Sequence, residues 1–330
     1  MTERPADDGT APDRRIGARA ERLDRERTAA ERLQLSRETS KRLALICGLY
    51  VLGFLAIYAL VARTSGSAAF HLLPAVIVAA FVFEAMDSAA GMGFGTALAP
   101  LLFVLGYDPL QVVPILLLSE MATGLVAGLV HHEFGNVHFE LDPANEATKL
   151  VGLFATTGAL AVSASIVFVY AAVELDSSLI KLYVGSVVIL MGAIGLVRAR
   201  IGTGATYRPK LLIAFALFAG VNKGIGGGGY GPVITLGQLF SGVYEKSATA
   251  ITTLSEGIVS LVGVLAFFLL TIHGVVIDPL LLPSIFTGGF LAAVVAPLLV
   301  RVVPNAVWRY VIPGYALLIG AAAIGLGLDV

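Results

Sequence analysis

Four charged residues lie within otherwise apolar stretches of the chain. They are Asp87, Glu120, Lys223 and Glu256. A charged side chain at the centre of a bilayer costs about 2.5 to 3.5 kcal/mol on insertion scales, so each of them is a candidate functional residue. A lysine can balance the charge of an anion, and a buried carboxylic acid can stay protonated and carry protons. The four residues therefore predict a site that handles an anion, protons or both.

Two clusters of glycine interrupt apolar runs at 72–107 and 211–241, and each run is too long for one crossing of a bilayer core about 30 Å thick. Backbone inside hydrocarbon needs hydrogen-bond partners, so a break is tolerated only where it is buried in protein or lines a wet cavity. The alternative is that the glycines only allow close helix packing. The first cluster is Gly91, Gly93 and Gly95, and the second is Gly224, Gly226, Gly227, Gly228, Gly229 and Gly231.

The two clusters match each other when the sequence is shifted by 136 residues. This predicts an internal repeat. The shift also places Asp87 on Lys223, so a two-fold axis could pair them as ions across the repeat interface; alternatively Lys223 contacts the substrate and Asp87 is a proton site. Other matches are Gly91, Gly93 and Gly95 with Gly227, Gly229 and Gly231, Phe94 with Tyr230, and Leu118, Ser119 and Glu120 with Leu254, Ser255 and Glu256.

The helices that follow the breaks are predicted to start near Thr96 and Pro232, with their free N–H groups at the glycine turns. Such helix N-termini favour an anion. We therefore predict a substrate site at the breaks, and Asp87, Glu120, Lys223 and Glu256 as proton-coupling or charge-pairing residues. The predicted substrate-binding residues are Gly91, Gly93, Phe94, Gly95, Thr96, Asn222, Lys223, Gly226, Gly227, Gly228, Gly229 and Tyr230.

The composition indicates what must position these residues. Hydrophobic residues make up 57% of the 330 positions, charged residues make up 14%, and the mean hydropathy is +0.87. These values indicate a membrane protein in a lipid bilayer. The apolar segments predict an all-α fold, and no nucleic-acid partner is predicted. The apolar segments are 43–62, 72–107, 110–130, 149–173, 178–197, 211–241, 247–272, 279–300 and 306–328.

Loop charge predicts the orientation, because loops rich in Lys and Arg stay in the cytoplasm. Half of the 22 Lys and Arg residues precede position 43, and the loop 198–210 is also basic. We predict a cytoplasmic N-terminus, a cell-membrane location, seven crossings and two glycine-broken hairpins in two inverted repeats of one hairpin and three crossings each. The predicted units are a charged extension (1–42), a first transmembrane helix and loop (43–71), repeat 1 (72–200), a basic linker (201–210) and repeat 2 (211–330).

No residue pattern predicts an enzyme, a metal or a cofactor. The cluster of His131, His132, Glu133 and His138 is a weak metal signal, because adjacent histidines on a loop are common. No Ser-His-Asp order or phosphate loop is present, and the single Cys47 cannot form an intramolecular disulfide. The sequence leaves the oligomeric state undecided, and it allows a homo-oligomer.

The segments Glu84 to Thr96 and Gly220 to Pro232, each followed by its glutamate, resemble the paired glycine-rich repeats of the TauE/SafE family of sulfite exporters and related permeases. The resemblance covers residues 72 to 328 and is stronger in the second repeat. It implies proton-linked movement of sulfite or an organosulfonate, and export is the leading hypothesis. The alternatives are an uptake permease for a sulfonate or thiosulfate and a passive anion channel.

Overall fold

Helices make up most of the structure, a computed structural model described over residues 16–26, 36–65, 72–90, 94–200, 208–302 and 305–328. Within these ranges there is no β-strand, only an isolated bridge between Leu141 and Ala144, and the all-α prediction is confirmed. π-Helical turns at Phe94–Leu98 and Phe168–Ala172 precede α4 and extend α6. The helices are α1 Ala18–Glu26, α2 Arg37–Ser65, α3 Pro74–Ala90, α4 Ala99–Val104, α5 Pro109–Glu133, α6 Glu146–Val167, α7 Ser177–Arg200, α8 Pro209–Gly226, α9 Tyr230–Phe240, α10 Glu245–Ile272, α11 Leu282–Val302 and α12 Asn305–Leu328.

Five stretches of the described helices are long and apolar enough to cross a membrane, and the protein is a multi-pass membrane protein. Two further predicted crossings coincide with α11 and α12, whose described apolar parts are the shorter Leu282–Ala293 and Pro313–Gly325. The total of seven crossings therefore stays a prediction. The five stretches are Arg37–Ala56, Pro109–Glu133, Glu146–Ala172, Ser177–Val197 and Glu245–Ile272.

Burial separates the central helices from those that face outward. The apolar part of α5 is 67% buried inside the protein, whereas that of α2 is only 6% buried. Leucines of α2 such as Leu45 and Leu52 are exposed on the outer surface, where lipid is a suitable solvent for them. α5 packs along α10, and these two helices form the centre of the bundle.

The second glycine cluster breaks the chain into a helical hairpin. α8 ends at Gly226, because Gly227 and Gly229 adopt left-handed φ angles of +75° and +82°, which glycine tolerates best. α9 then runs back along α8, since a Cβ on Gly237 would lie 3.0 Å from the ring of Phe215. In the first repeat, α3 ends at Ala90 and helical structure resumes at Phe94, while Gly91 and Gly93 lie outside the described residues.

One pair of helices that match at the offset of 136 residues packs closely in opposite directions. α5 and α10 are this pair, starting at Pro109 and Glu245. The start of α5 meets the connection that follows α10, where Gln111 donates to Asp278 at 2.6 Å. At the other end, the Ser247 hydroxyl donates to the carbonyl oxygen of Asn136 at 2.7 Å. Inverted repeats require antiparallel packing of such a pair, and this pair meets that requirement, while the inverted-repeat arrangement as a whole stays a prediction.

Part of the predicted N-terminal extension packs against the membrane bundle. The Tyr244 N–H donates to the carbonyl oxygen of Ile16 at 3.0 Å, and Ala20 is buried. Gly17 has a φ of +92°, and a Cβ there would lie 2.5 Å from the Ser247 hydroxyl oxygen. The uncharged segment 16–18 interrupts a run of arginines between Arg15 and Arg19. The chain contacts the start of α10 at this uncharged segment.

Candidate functional site

The two breaks in the chain meet at backbone distance. A Cβ on Gly95 would overlap the carbonyl oxygen of Gly227 and lie 2.9 Å from the Cα of Gly228, and a Cβ on Gly228 would overlap the carbonyl group of Gly95. The Gly229 N–H donates to the Thr96 hydroxyl at 3.2 Å. Gly95 of the first glycine cluster and residues of the second cluster therefore contribute to one site, and only glycine fits at this contact.

Lys223 lies between two carboxylates beside this contact. It occupies the last turn of α8 and is fully buried, and its Nζ donates to Glu120 of α5 and, at 2.9 Å, to Glu256 of α10. Glu120 and Glu256 are 3% and 5% exposed, and they occupy matching positions in the two repeats. Glu120 also borders the breaks, since its Oε1 would lie 2.6 Å from a Cβ on Gly95. We call these three residues the charge cluster.

The partners of Lys223 differ from the predicted pairing with Asp87. Both of its ion pairs are with the glutamates, whereas Asp87 lies within electrostatic range of the charge cluster without forming an ion pair with Lys223. The physical reason is the position of the central helices, since α5 and α10 place their glutamates against the end of α8. Asp87 is 8% exposed and Glu84, also on α3, is 2% exposed.

A small cavity borders the breaks, with Gly95, Asn222, Gly228 and Tyr183 in its wall and room for about one water molecule. The Tyr183 hydroxyl donates to Oδ1 of Asn222, which fixes the orientation of the amide. The Nδ2 of Asn222 is buried without a hydrogen-bond partner among the described residues. The amide therefore presents two unused N–H bonds beside the cavity.

Sequence reasoning selected Asn222 but missed Tyr183. Tyr183 lies on α7 within the apolar run 178–197, and nothing in its spacing relates it to either glycine cluster. The available signal is a phenol hydroxyl within an apolar crossing, two residues after Lys181. A buried hydroxyl needs a partner, but the sequence does not show which one.

The remaining predicted residues have supporting positions. The Tyr230 ring lies 5.6 Å from Lys223 Nζ, and its hydroxyl donates to the carbonyl oxygen of Phe154 at 3.2 Å, so the ring rather than the hydroxyl faces the charge cluster. Phe94 is fully buried in the core. A Cβ on Gly226 would collide with Val184 of α7, so Gly226 permits close helix packing.

The charge cluster holds one cation and two carboxylates. When both carboxylates are ionised its net charge is −1, and one proton makes it neutral. Because charges interact strongly in a buried environment, the protonation of one carboxylate changes how tightly Lys223 is held by the other. The site can thus exchange protons and alter the positive charge available to an anion next to the breaks.

Comparison with known proteins identifies a family for most of the chain. The family described as "Sulfite exporter TauE/SafE" matches residues 75–323. The chain is also similar to the "Probable membrane transporter protein YtnM" of Bacillus subtilis (strain 168), with 26% identity over 264 residues, which is 76% of this chain and 82% of that protein. No solved structure matches the chain significantly. The family match covers most of the chain, and the chain therefore belongs to the sulfite exporter TauE/SafE family.

Proposed function

We propose that this protein is a secondary transporter of a small sulfur oxyanion, sulfite or an organosulfonate, and that transport is coupled to protons. The observation that carries the proposal is the contact between the two breaks, with the charge cluster on one side and the Asn222 amide on the other. The first-turn amides of α9 and the two free N–H bonds of Asn222 supply donors for anion oxygens. Lys223 supplies the positive charge.

The coupling follows from the charges. With both glutamates ionised, the charge cluster is negative and repels an anion. Protonation of Glu120 or Glu256 removes one negative partner of Lys223, and the ammonium group then attracts the anion more strongly. The proton and the anion therefore favour each other's binding, which is linkage between two ligands of one site.

Because the proton and the anion favour each other's binding at the site, they are expected to move in the same direction. This charge arrangement supports the second candidate, an uptake permease for a sulfonate or thiosulfate, when the proton gradient is directed inward. Export of sulfite then requires an outward anion gradient large enough to carry the proton with it. Measuring flux with each gradient imposed separately distinguishes the two directions.

The small cavity is closed to an anion in this conformation, which fits both an alternating transporter and a closed channel. A cavity with room for about one water molecule is smaller than sulfite, so the site must open before an anion enters. A transporter that alternates between states has this property, and its flux saturates with substrate. A flux that rises linearly with concentration and ignores the pH gradient would instead indicate a channel.

The test is uptake of ³⁵S-labelled sulfite into proteoliposomes with and without a pH gradient. We expect saturable uptake that increases with the gradient and is lost in Lys223→Met, because the variant removes the positive charge. Lys181→Met is the matched control, since Lys181 lies on α7 and its ion pair among the described residues is a long contact of 3.9 Å to Asp108. Equal uptake by Lys223→Met and the wild type would remove Lys223 from the mechanism.

The substrate itself is identified by binding. We expect the purified protein to be stabilised against heat by one or more of sulfite, thiosulfate, sulfate, taurine and sulfoacetate. Bound ligand stabilises the folded state in proportion to the logarithm of its concentration over Kd. The ligand that raises Tm should do so less in Asn222→Leu, and no shift with any of the five would contradict the proposed substrate class.

A further inference from the structure

The polar side chains on one side of the charge cluster are distributed unequally between the repeats. In the second repeat, Thr252 of α10 lies one helical turn before Glu256 on the same face. The Thr252 hydroxyl accepts from Gln238 Nε2 at 2.8 Å and lies 3.1 Å from the Thr235 hydroxyl. Thr235, Gln238 and Thr252 are 1%, 0% and 0% exposed.

The network continues toward the end of the bundle where α10 starts. Gln238 Nε2 also donates to the carbonyl oxygen of Ala248 at 3.1 Å, and Ser241 follows at the end of α9. Polar atoms remain without a hydrogen-bond partner among the described residues at three points, Glu256 Oε2, Gln238 Oε1 and the Ser241 hydroxyl. Buried polar atoms of this kind are usually satisfied by water.

The matching positions of the first repeat are apolar. At the offset of 136 residues, Thr252, Gln238 and Ser241 correspond to Leu116, Leu102 and Leu105. Leu116 and Leu102 are fully buried, so the route from Glu120 along its own hairpin is lined by hydrocarbon. Water and protons cross such a region poorly, because it offers no hydrogen bonds.

We infer that Thr252, Gln238, Thr235 and Ser241 line a one-sided proton path to Glu256 from the end where α10 starts, and that the described residues form no matching path to Glu120 along α4 and α5. This inference rests on the proposed function and assigns to Glu256 the exchange of protons with that side of the membrane. α5 and α10 are antiparallel, so the corresponding end for Glu120 faces the opposite side. The loop charges predict that α10 starts on the cytoplasmic side.

A second reading is that these hydroxyls and the amide only hold α9 against α10. The two readings predict different effects on the exchange of labelled for unlabelled sulfite across the membrane. A structural defect slows every transport mode, whereas a lost proton path slows net, pH-driven flux and spares exchange of labelled for unlabelled sulfite, in which the proton need not leave.

The test compares Thr252→Val, which removes the hydroxyl at nearly constant volume, with Thr252→Ser, which retains it. Ser260→Ala is the matched control, because Ser260 is equally buried and lies one turn on the other side of Glu256. In proteoliposomes we expect Thr252→Val to slow pH-driven sulfite flux at least about tenfold and to leave exchange at the wild-type rate. Thr252→Ser and Ser260→Ala should resemble the wild type in both modes. Equal loss of both modes in Thr252→Val, or no loss in either, would overturn the path.

A substrate-free measurement separates this inference from the identity of the anion. Infrared difference spectroscopy after a pH jump follows protonation of the buried carboxyls, and Glu256→Gln identifies the band of Glu256. We expect protonation of Glu256 to be at least about tenfold slower in Thr252→Val and unchanged in Ser260→Ala. If the wild type moves no sulfite but protonation of Glu256 is still slower in Thr252→Val, the proposed substrate is contradicted and the path is retained. The path would be excluded if the Glu256 band developed as fast in Thr252→Val as in the wild type, or if Glu256 gave no pH-sensitive band.

Discussion

Lys223 takes its two carboxylate partners from different repeats, Glu120 at a separation of 103 residues and Glu256 at a separation of 33. A buried ion pair is a poor source of stability, because desolvation of the charges offsets most of their attraction. Removing one partner is nonetheless costly, since it leaves an uncompensated buried charge. The charge cluster is therefore better explained by transport than by stability.

Removal of Lys223 alone should destabilise the protein more than removal of all three charges. We expect Lys223→Met to lower the free energy of unfolding by about 3 to 5 kcal/mol, the cost of breaking a buried pair. Adding Glu120→Gln and Glu256→Gln should restore most of that loss while transport stays absent. Thermal unfolding of the detergent-solubilised proteins measures both. A triple variant as unstable as the single variant would contradict this account of the charge cluster.

The Tyr183 hydroxyl should matter for substrate affinity through Asn222. We expect Tyr183→Phe to raise the KM for sulfite roughly 2- to 10-fold with little change in kcat, because a hydrogen bond of about 0.5 to 1.5 kcal/mol no longer fixes the amide. Tyr315→Phe on α12 is the control, since Tyr315 packs on Phe83. A change in kcat alone would place Tyr183 in a conformational step instead.

At the residue scale, the sequence selected residues that the structure places together, but it did not predict how they pair. The cost of charge in apolar segments selected Lys223, Glu120 and Glu256, and the structure brings them together. The pairing of Asp87 with Lys223 was not reproduced, because a repeat offset shows which positions are equivalent but not which of them meet. Partners depend on how the helices cross, and that information is spread over the whole bundle.

At the scale of elements, the glycine clusters predicted where the helices end. α8 ends at Gly226 and α9 begins at Tyr230, close to the centre of the predicted run 211–241. The π-helical turn at Phe94–Leu98 was not predicted, since no residue in it is specific to that geometry. The meeting of the two breaks also requires knowledge of how the hairpins pack.

Substitution at the contact of the breaks should be severe. We expect Gly95→Ala and Gly228→Ala each to destabilise the protein by about 1 to 3 kcal/mol and to abolish transport, because the added methyl group overlaps backbone of the opposite hairpin. Gly152→Ala on α6 is the control, since a Cβ there has no atom within 4 Å. Sulfite flux and thermal unfolding give the comparison. Normal flux in Gly95→Ala would mean that transport does not require the contact between the two breaks.

At the scale of the whole molecule, composition was sufficient to predict a multi-pass membrane bundle, because few other proteins tolerate a mean hydropathy of +0.87. The packing of Ile16 and Gly17 on the start of α10 was not predicted. The extension was predicted from the charge of residues 1–42 taken together. A short uncharged segment within it has little effect on that charge. The contact links the N-terminal segment to the end of the bundle where α10 starts.

The predicted orientation can be tested with two exposed loops. In a Cys47→Ser background, we expect Asp142→Cys, in the loop after α5, and Asp176→Cys, before α7, to react with a membrane-impermeant thiol reagent from opposite sides. Asp176→Cys should react in intact cells, and Asp142→Cys only after the membrane is opened, because the loop charges predict that Asp176 faces outward. Labelling of both from the same side would contradict the predicted parity of crossings.

The pairing of Glu120 with Lys223 also constrains biosynthesis. Glu120 enters the membrane first, and its partner is synthesised 103 residues later, a delay on the order of 5 to 20 s at ordinary rates of translation. During that interval the first half lacks the ammonium group that pairs with this carboxyl group in the complete protein, so the cost of burying the carboxyl group is not offset. Ribosome arrest just before Lys223 should therefore leave a half-made chain that the cell's quality-control proteases degrade.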